Sequence, residues 1–479
     1  MITQHSIAHD TPYDAVIAGS GIAGLLAAHE LLRRAPQTRI LIADVGLPLE
    51  DRERQATSQM GGSGGAGLYL GGRLYLGSSS IPIPPPGTLP AGFRTILESS
   101  DYERRAHEVN ALLDEYGARA PLRLAPDVAI HTAIADAEAA GLEYITSYPA
   151  RFLTSEDRRG ILRRLMRRLE ERGVTFAFNA RVTPDGHAGA GFQVRLEQAG
   201  GTWEQARSVT ARALLLAPGR YGAEWLVETT RRLGAAVERL PSAFGIRLEV
   251  PLTTYAPLTD INPDPRIQLT LSGDAIIKTY ATCLGGYVLP VTRYGALVAS
   301  GVPLPAGQRT GSTTFAVLAQ PGVVGAADSW RGGERAARLL NERYPGRLVV
   351  QRLADVREGE PTSADALARN TVRPTCADAT HGALHDVYPD AFWPACEDFL
   401  ARLAQLAPGI QTGDALAYGP AEERFWYFPT DDQLQTGAPG LFVAGDGAGQ
   451  SQGIIQAGVT GTLAGAGLAH YLTAPRIRS

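Results

Sequence analysis

YDAVIAGSGIAGLLAAHELLRR, residues 13–34, decides how this chain folds. Residues 13–18 are a short apolar run of strand character. Gly19-Ser20-Gly21-Ile22-Ala23-Gly24 follows and fits the spacing G-x-G-x-x-G. From Ile22 to Arg34 the apolar residues Leu25, Leu26, Leu31 and Leu32 stand at helical spacing, with Arg33 and Arg34 in the last turn. Pro36 stops the helix, and residues 39–43 (RILIA) form the next buried strand. Strand, turn, helix and strand within about 30 residues make a β-α-β unit. Its glycines permit a tight turn and let a pyrophosphate approach the backbone at the helix N-terminus. Asp44 ends the second strand, where a carboxylate accepts hydrogen bonds from ribose hydroxyls and disfavours a 2′-phosphate. Residues 19–24 and Asp44 are therefore expected to bind a dinucleotide.

The other end of the chain says which one. Residues 441–458 read LFVAGDGAGQSQGIIQAG: a strand, a Gly445-Asp446 pair, and a helix starting near Gly453 and Ile454 and running to about Leu472. FAD carries a ribityl chain and an isoalloxazine ring beyond its pyrophosphate. The Asp446 carboxylate suits a ribityl hydroxyl. The positive end of the new helix suits the N1–O2 edge of the ring, where negative charge develops on reduction. The expected cofactor is non-covalent FAD, since no histidyl or cysteinyl linkage is recognisable. Residues 213–219 (ALLLAPG) add a short strand ending at Gly219 beside the cofactor, and Val182 lies after the third strand, where backbone contacts to adenine are expected.

Composition fits a large globular protein. The chain has 479 residues, 44% hydrophobic and 20% charged, with formal net charge −4, which gives no sign of a nucleic-acid partner. Arginine supplies the basic residues, and Lys278 is the only lysine. No apolar run is long enough to span a bilayer, and the N-terminus lacks a signal-peptide pattern, so a cytoplasmic location without a membrane partner is expected. Cys283, Cys376 and Cys396 are widely spaced, without a CxxC pair, so neither a redox dithiol nor a metal site is expected. His381 and His385 have the spacing of two ligands on one helix face, but no further ligands accompany them.

The predicted class is α/β: a discontinuous Rossmann-like FAD domain with an inserted mixed α+β substrate or cap domain. Its expected limits are 1–234, 235–407 and 408–479. Helix 161–172, with Ser155 as N-cap, strand 174–178, and an antiparallel excursion over 192–196 and 208–213 fall in the first part. Runs 245–250, 267–271, 287–289, 297–302 and 313–318 read as strands of the cap. Residues 81–90 (IPIPPPGTLP) read as an extended connection.

The segments GSGIAG, GGSGGAGLYLGG, APGRYGAEWL, FGIRLEVP, CLGGYVLP, STTFAVL and AGDGAGQSQGIIQAGVTG, spread over residues 19–461, resemble the glutathione-reductase-type FAD superfamily. More narrowly, they resemble bacterial FAD-dependent dehydrogenases. Leu284 stands where that subfamily would have proline, and the stretch before Gly61 lacks its cysteines, which points to a diverged substrate. The resemblance implies a two-electron oxidation or reduction of a small organic substrate between flavin and cap. No second G-x-G-x-x-G unit is present, so NAD(P)H docking transiently, or O2, is the expected electron partner. A flavin monooxygenase, or a flavoprotein supporting a non-redox cyclisation or isomerisation, stays open, as does the oligomeric state.

Candidate catalytic residues follow from position. The run 61–72, including Gly64 and Gly65, should pass near the ring, because bare backbone approaches closely. Arg73 follows it and could anchor a carboxylate. Tyr69 and Tyr75 are pocket or core residues. Tyr287 lies beside Cys283, itself expected to be a buried inert thiol. The cluster EERFWYF, residues 422–428, offers Arg424 for a carboxylate and Trp426 and Tyr427 as pocket walls, or else as interdomain core.

Overall fold

The β-α-β unit read from residues 13–43 is present in the computed structural model. The described residues are 12–54, 61–77, 101–124, 126–146, 149–188, 191–199, 206–271, 275–293, 295–304, 306–320 and 329–475. The strands, in chain order, are β1 (Pro12–Ala18), β2 (Ile40–Ala43), β3 (Arg73–Tyr75), β4 (Glu143–Ile145), β5 (Ala150–Phe152), β6 (Thr175–Ala177), β7 (Ala180–Ala188), β8 (Gly191–Gln198), β9 (Arg207–Leu216), β10 (Glu238–Pro251), β11 (Arg266–Thr270), β12 (Ile276–Cys283), β13 (Tyr287–Arg293), β14 (Ala296–Val302), β15 (Ser312–Ala319), β16 (Val349–Arg352), β17 (Thr380–His381), β18 (Leu416–Tyr427) and β19 (Leu441–Val443).

One sheet has the order β6-β2-β1-β9-β8-β7, with β19 also on β9. β6, β2, β1, β9 and β19 are mutually parallel, so their carboxyl ends share one edge. The excursion β7–β8 is antiparallel, as read from the sequence. β9 differs from expectation. Residues 208–213 and 213–217 were read as two strands, but they form one, pairing with β8 through its first half and with β1 along most of its length. The helix Ser155–Glu171 starts six residues before the predicted 161. Thr154, not Ser155, is its cap, because Thr154 and Asp157 form a reciprocal capping box. Helices Ile22–Arg34, Tyr102–Glu115, Ser155–Glu171 and Ile454–Thr473 cover one face of this sheet. Gly461 and Gly465 let the last helix press on the first: a Cβ at either would lie 2.3 or 2.5 Å from the carbonyl oxygen of Ala23 or Ala27.

A second sheet has the order β17-β16-β18-β10-β15-β12-β11-β4. Phe244, Ile246, Leu248, Phe315, Val317 and Ile277 alternate onto one face, beneath Phe392, Phe399 and Leu403 of a helix. The opposite face of its strands turns toward the first sheet and carries the hairpin β13–β14 at one side. Its membership departs from the predicted limits. β4 and the helix Val128–Ala139 join it from within 1–234, and β18 joins it from within 408–479. The chain thus enters the second layer twice, because the apolar faces of these two short segments find cover only there. His381 stands on β17 rather than on a helix. Residues 81–90 lie outside the described residues. Among the described residues no helix is long and apolar enough to cross a membrane.

Candidate functional site

A cavity of about 600 Å³ opens at the carboxyl edge of the parallel strands. Ligands bind there in open α/β sheets because loop backbone and helix N-termini converge at that edge. Four post-strand turns supply the walls: Gly19–Ala23 after β1, Asp44 and Val45 after β2, Ala217–Gly222 after β9, and Gly445–Asp446 with Gln452–Ile454 after β19.

The first turn divides its labour among three glycines. Gly19 has φ +113°, and a Cβ there would meet the Ala217 carbonyl oxygen at 2.2 Å. A Cβ on Gly24 would meet the Gly19 carbonyl oxygen at 2.0 Å. A Cβ on Gly21 would meet nothing within 4 Å, and Gly21 lines the cavity. Gly19 and Gly24 are thus required by the fold, whereas Gly21 leaves room for something outside it. The helix after Gly21 has no side-chain cap, so its first N–H groups stay available to an anion.

Asp44 is buried and organises this turn. Its Oδ2 accepts from the Ser20 amide and hydroxyl, both at 2.7 Å, and its Oδ1 from the amides of Gly46 at 2.8 Å and Gly62 at 3.0 Å. Four donors match the roughly four acceptor positions of a carboxylate. Asp44 therefore clamps three loops together, where the sequence suggested a group left open for ribose.

The run after Gly61 crosses the cavity. Gly64 donates its amide to the Ser20 carbonyl at 2.9 Å, and Gly65 packs on Gly21. Gly67 reaches Ile454, the first residue of the last helix. The run thus bridges the two Gly-rich turns. Ala180, Arg181 and Val182 of β7 line the far end.

Asp446 is buried, and burial raises its carboxyl above the usual range against the opposing pull of Arg220. Its Oδ1 accepts from the Ser451 hydroxyl at 2.8 Å and weakly from the Gly453 amide at 3.4 Å. The buried side-chain oxygen of Gln452, also in the cavity wall, has no donor among the described residues. The helix Ile454–Thr473 is uncapped by any side chain, and Gly453, Ile454 and Ala457 line the cavity. These are the features of a site built to receive hydroxyls and an electron-rich group.

The second sheet closes this end. Arg73 pairs with Asp264 at 2.7 Å across the two layers, and Asp264 also accepts from the Thr282 amide at 2.9 Å. Burial disfavours the Arg73 charge, but Asp264 outweighs it, and its pKa lies above the ordinary arginine value. Arg73 lines the cavity as predicted, with its charge already matched by a carboxylate of the chain. Arg266 lies 5.6 Å over the Tyr75 ring, and both line the cavity. Arg220 donates to Tyr280 and to Glu423, each at 2.7 Å, and Arg293 approaches Glu423 at 3.7 Å.

Other predicted catalytic residues lie elsewhere. Tyr287 begins the β13–β14 hairpin and is not among the lining residues. Trp426 is buried against Leu226, Val227 and Phe428, with Arg231 and Arg239 over its ring at 5.3 and 5.6 Å, and belongs to the core. Tyr427 ends β18, buried and outside the lining set. Arg424 is on β18, and its side chain is outside the described residues. These residues fall away from the cavity because β18 belongs to the second sheet and delivers this segment behind the first. Cys283 is buried and accepts from Arg247 at 3.0 Å; burial pushes its thiol up. Sequence reading passed over Arg220, Asp264, Arg266 and Glu423. The alternation Arg266-x-Gln268 and Lys278-x-Tyr280 was the available signal for one polar sheet face.

No protein-family model matches the chain, and no curated protein matches it. Several solved structures are similar over nearly the whole chain at low identity. A 3-ketosteroid-Δ4-(5α)-dehydrogenase from Rhodococcus jostii RHA1 is 16% identical, covers 97% of this chain and 98% of its own, and has a TM-score of 0.42. An L-amino acid deaminase from Proteus vulgaris is 13% identical over 96% and 94%, with a TM-score of 0.40. CtdE, solved in complex with FAD, is 12% identical over 96% and 84%, with a TM-score of 0.36.

Proposed function

We propose that this chain is an FAD-dependent oxidoreductase of the glutathione-reductase-type class, acting on a small organic substrate held between the cofactor and the second sheet. One observation carries the reading: a single cavity joins the Gly19–Gly24 turn, the Asp446 loop and the N-terminus of the helix Ile454–Thr473 to Arg73, Tyr75 and Arg266. A mononucleotide would need only the first of these. The open Cβ position of Gly21, the unpartnered Gln452 oxygen and the uncapped last helix all fit FAD laid along that line.

FAD supplies two-electron hydride chemistry when bound; the chain supplies orientation and electrostatics. The Gly21 backbone and the helix behind it receive the pyrophosphate. Asp44 holds that turn in shape through its four bonds. Asp446 and Gln452 accept from ribityl hydroxyls. The amides at the start of the last helix face the pyrimidine edge and favour negative charge there. The Arg73–Asp264 pair ties the second sheet over this end and helps exclude water. Hydride transfer needs donor and acceptor atoms within about 3–3.5 Å, so fixed walls matter here more than a strong acid or base.

Anaerobic absorbance of the purified holoprotein tests this. A yellow protein should bleach on mixing with its organic substrate, sought among carboxylates, amines and alcohols, or with NADH or NADPH, and recover on admitting air or another acceptor. A protein that neither carries nor takes up FAD sinks the proposal. A yellow protein that none of these bleaches reduces it to cofactor binding.

A further inference from the structure

The single lysine of the chain lies on the second sheet's inner face. Cross-strand partners share a face, and Lys278 of β12 stands opposite Gln268 of β11. Arg266, two residues before Gln268, is on that face, as is Tyr280, two residues after Lys278. Arg266 lines the cavity, and Tyr280 bonds to Arg220, which also lines it. Lys278 therefore sits between two groups that reach the cavity wall. Among the described residues its ammonium has no hydrogen-bond or ion-pair partner. The nearby charges do not cancel. Arg73 is matched by Asp264, but Glu423 alone serves both Arg220 and Arg293. Gln268 turns its amide to Glu143, on the outer strand β4. Positive charge is in excess where Arg266 and Lys278 stand.

The location relative to the cofactor end is set by Tyr75. Arg266 covers its ring, and its carbonyl accepts from Gln456 at 3.1 Å, in the first turn of the last helix. Next to Tyr280 the same sheet face is small and apolar: Ala243, Ala316, Leu318 and Ala421.

We infer that Arg266 and Lys278 form an anion subsite, and that the substrate is an organic carboxylate with an apolar body, its charged end seated on these two side chains. This rests on the function proposed above and names its substrate class. Lys278 also has the character of a group that changes charge on binding. Burial first, and then Arg266, hold its pKa down to about 7, while Glu423 opposes them. An arriving carboxylate favours the ammonium, so binding should take up a proton near neutrality.

The test uses FAD-loaded protein and three probes of similar shape: benzoate, benzamide and benzylamine. Binding is read from the perturbed flavin absorbance and by calorimetry. Benzoate should bind about tenfold or more tighter than benzamide, the range of a charge-assisted contact, and benzylamine weakest. Benzoate affinity should fall as pH rises through about 7. Lys278→Met should lose at least tenfold for benzoate with little change for benzamide. Lys278→Arg should keep the affinity and flatten its pH dependence, which separates charge from a folding defect. Equal binding of benzoate and benzamide, no benzoate binding at millimolar concentration, or an unchanged Lys278→Met protein each overturns the inference. Flavin content, measured first, keeps this distinct: a yellow protein that ignores the anion refutes the subsite alone, and one without FAD refutes the underlying function.

Discussion

Replacing Lys278 by methionine should stabilise the protein at neutral and acidic pH. Lysine normally titrates near 10.5, and here it is held at about 7. Each pH unit of that difference is worth ~1.36 kcal/mol, giving a ceiling of about 5 kcal/mol. Lys278 keeps partial solvent access, so we expect about 2 kcal/mol, allowing for screening. The sign follows from proton counting. Between about 7 and 10.5 the unfolded chain holds a proton that the folded chain has lost, so wild-type stability rises with pH across that window. Below about 7 both states are charged, and the folded one bears the whole cost. The advantage of Lys278→Met should thus be largest below about 7 and vanish towards 10.5. Urea unfolding of the two proteins at several pH values measures it. Reductive ¹³C-methylation gives the pKa directly, because one lysine yields one side-chain resonance. A resonance titrating near 10.5, or a stability gap independent of pH, would refute the reasoning.

Other outcomes separate the roles assigned above. Gly21→Val should fold normally but lose FAD, since its side chain meets only the cavity; Gly19→Ala should lose stability as well, because of the 2.2 Å approach to the Ala217 oxygen. Circular dichroism and flavin absorbance distinguish the two. Arg73→Ala strands the buried Asp264 carboxylate and should cost about 2 kcal/mol, below the value for a fully buried pair; thermal unfolding reads it, with Arg73→Lys recovering part. Trp426→Ala should cost about 3 kcal/mol as a core truncation, leaving FAD content and probe binding intact at low temperature.

What the sequence made legible follows from locality. The turn 19–24 and the loop at Gly445–Asp446 each lie between a strand and the helix that strand feeds, so spacing alone carries their meaning. Both turns line the observed cavity. The wall supplied by the second sheet was illegible for the opposite reason. Arg266 and Lys278 acquire their relation through β11–β12 pairing, and Arg73 meets Asp264 across 191 positions. Aromatic density at 422–428 misled, because a bulky cluster marks a buried junction as readily as a pocket. Trp426 points into the core behind the first sheet. Asp44 shows a subtler limit. Its position was plain, but its four intramolecular donors come from three separate loops and appear only in the fold.

The central claim is that the long cavity holds FAD without a covalent bond, and acid precipitation of the purified protein tests it most directly. The account predicts a yellow protein that releases one FAD per chain into the supernatant, and a colourless Gly21→Val protein of normal fold. A wild-type protein that is colourless and takes up no FAD on incubation, or a precipitate that retains the colour, would contradict it.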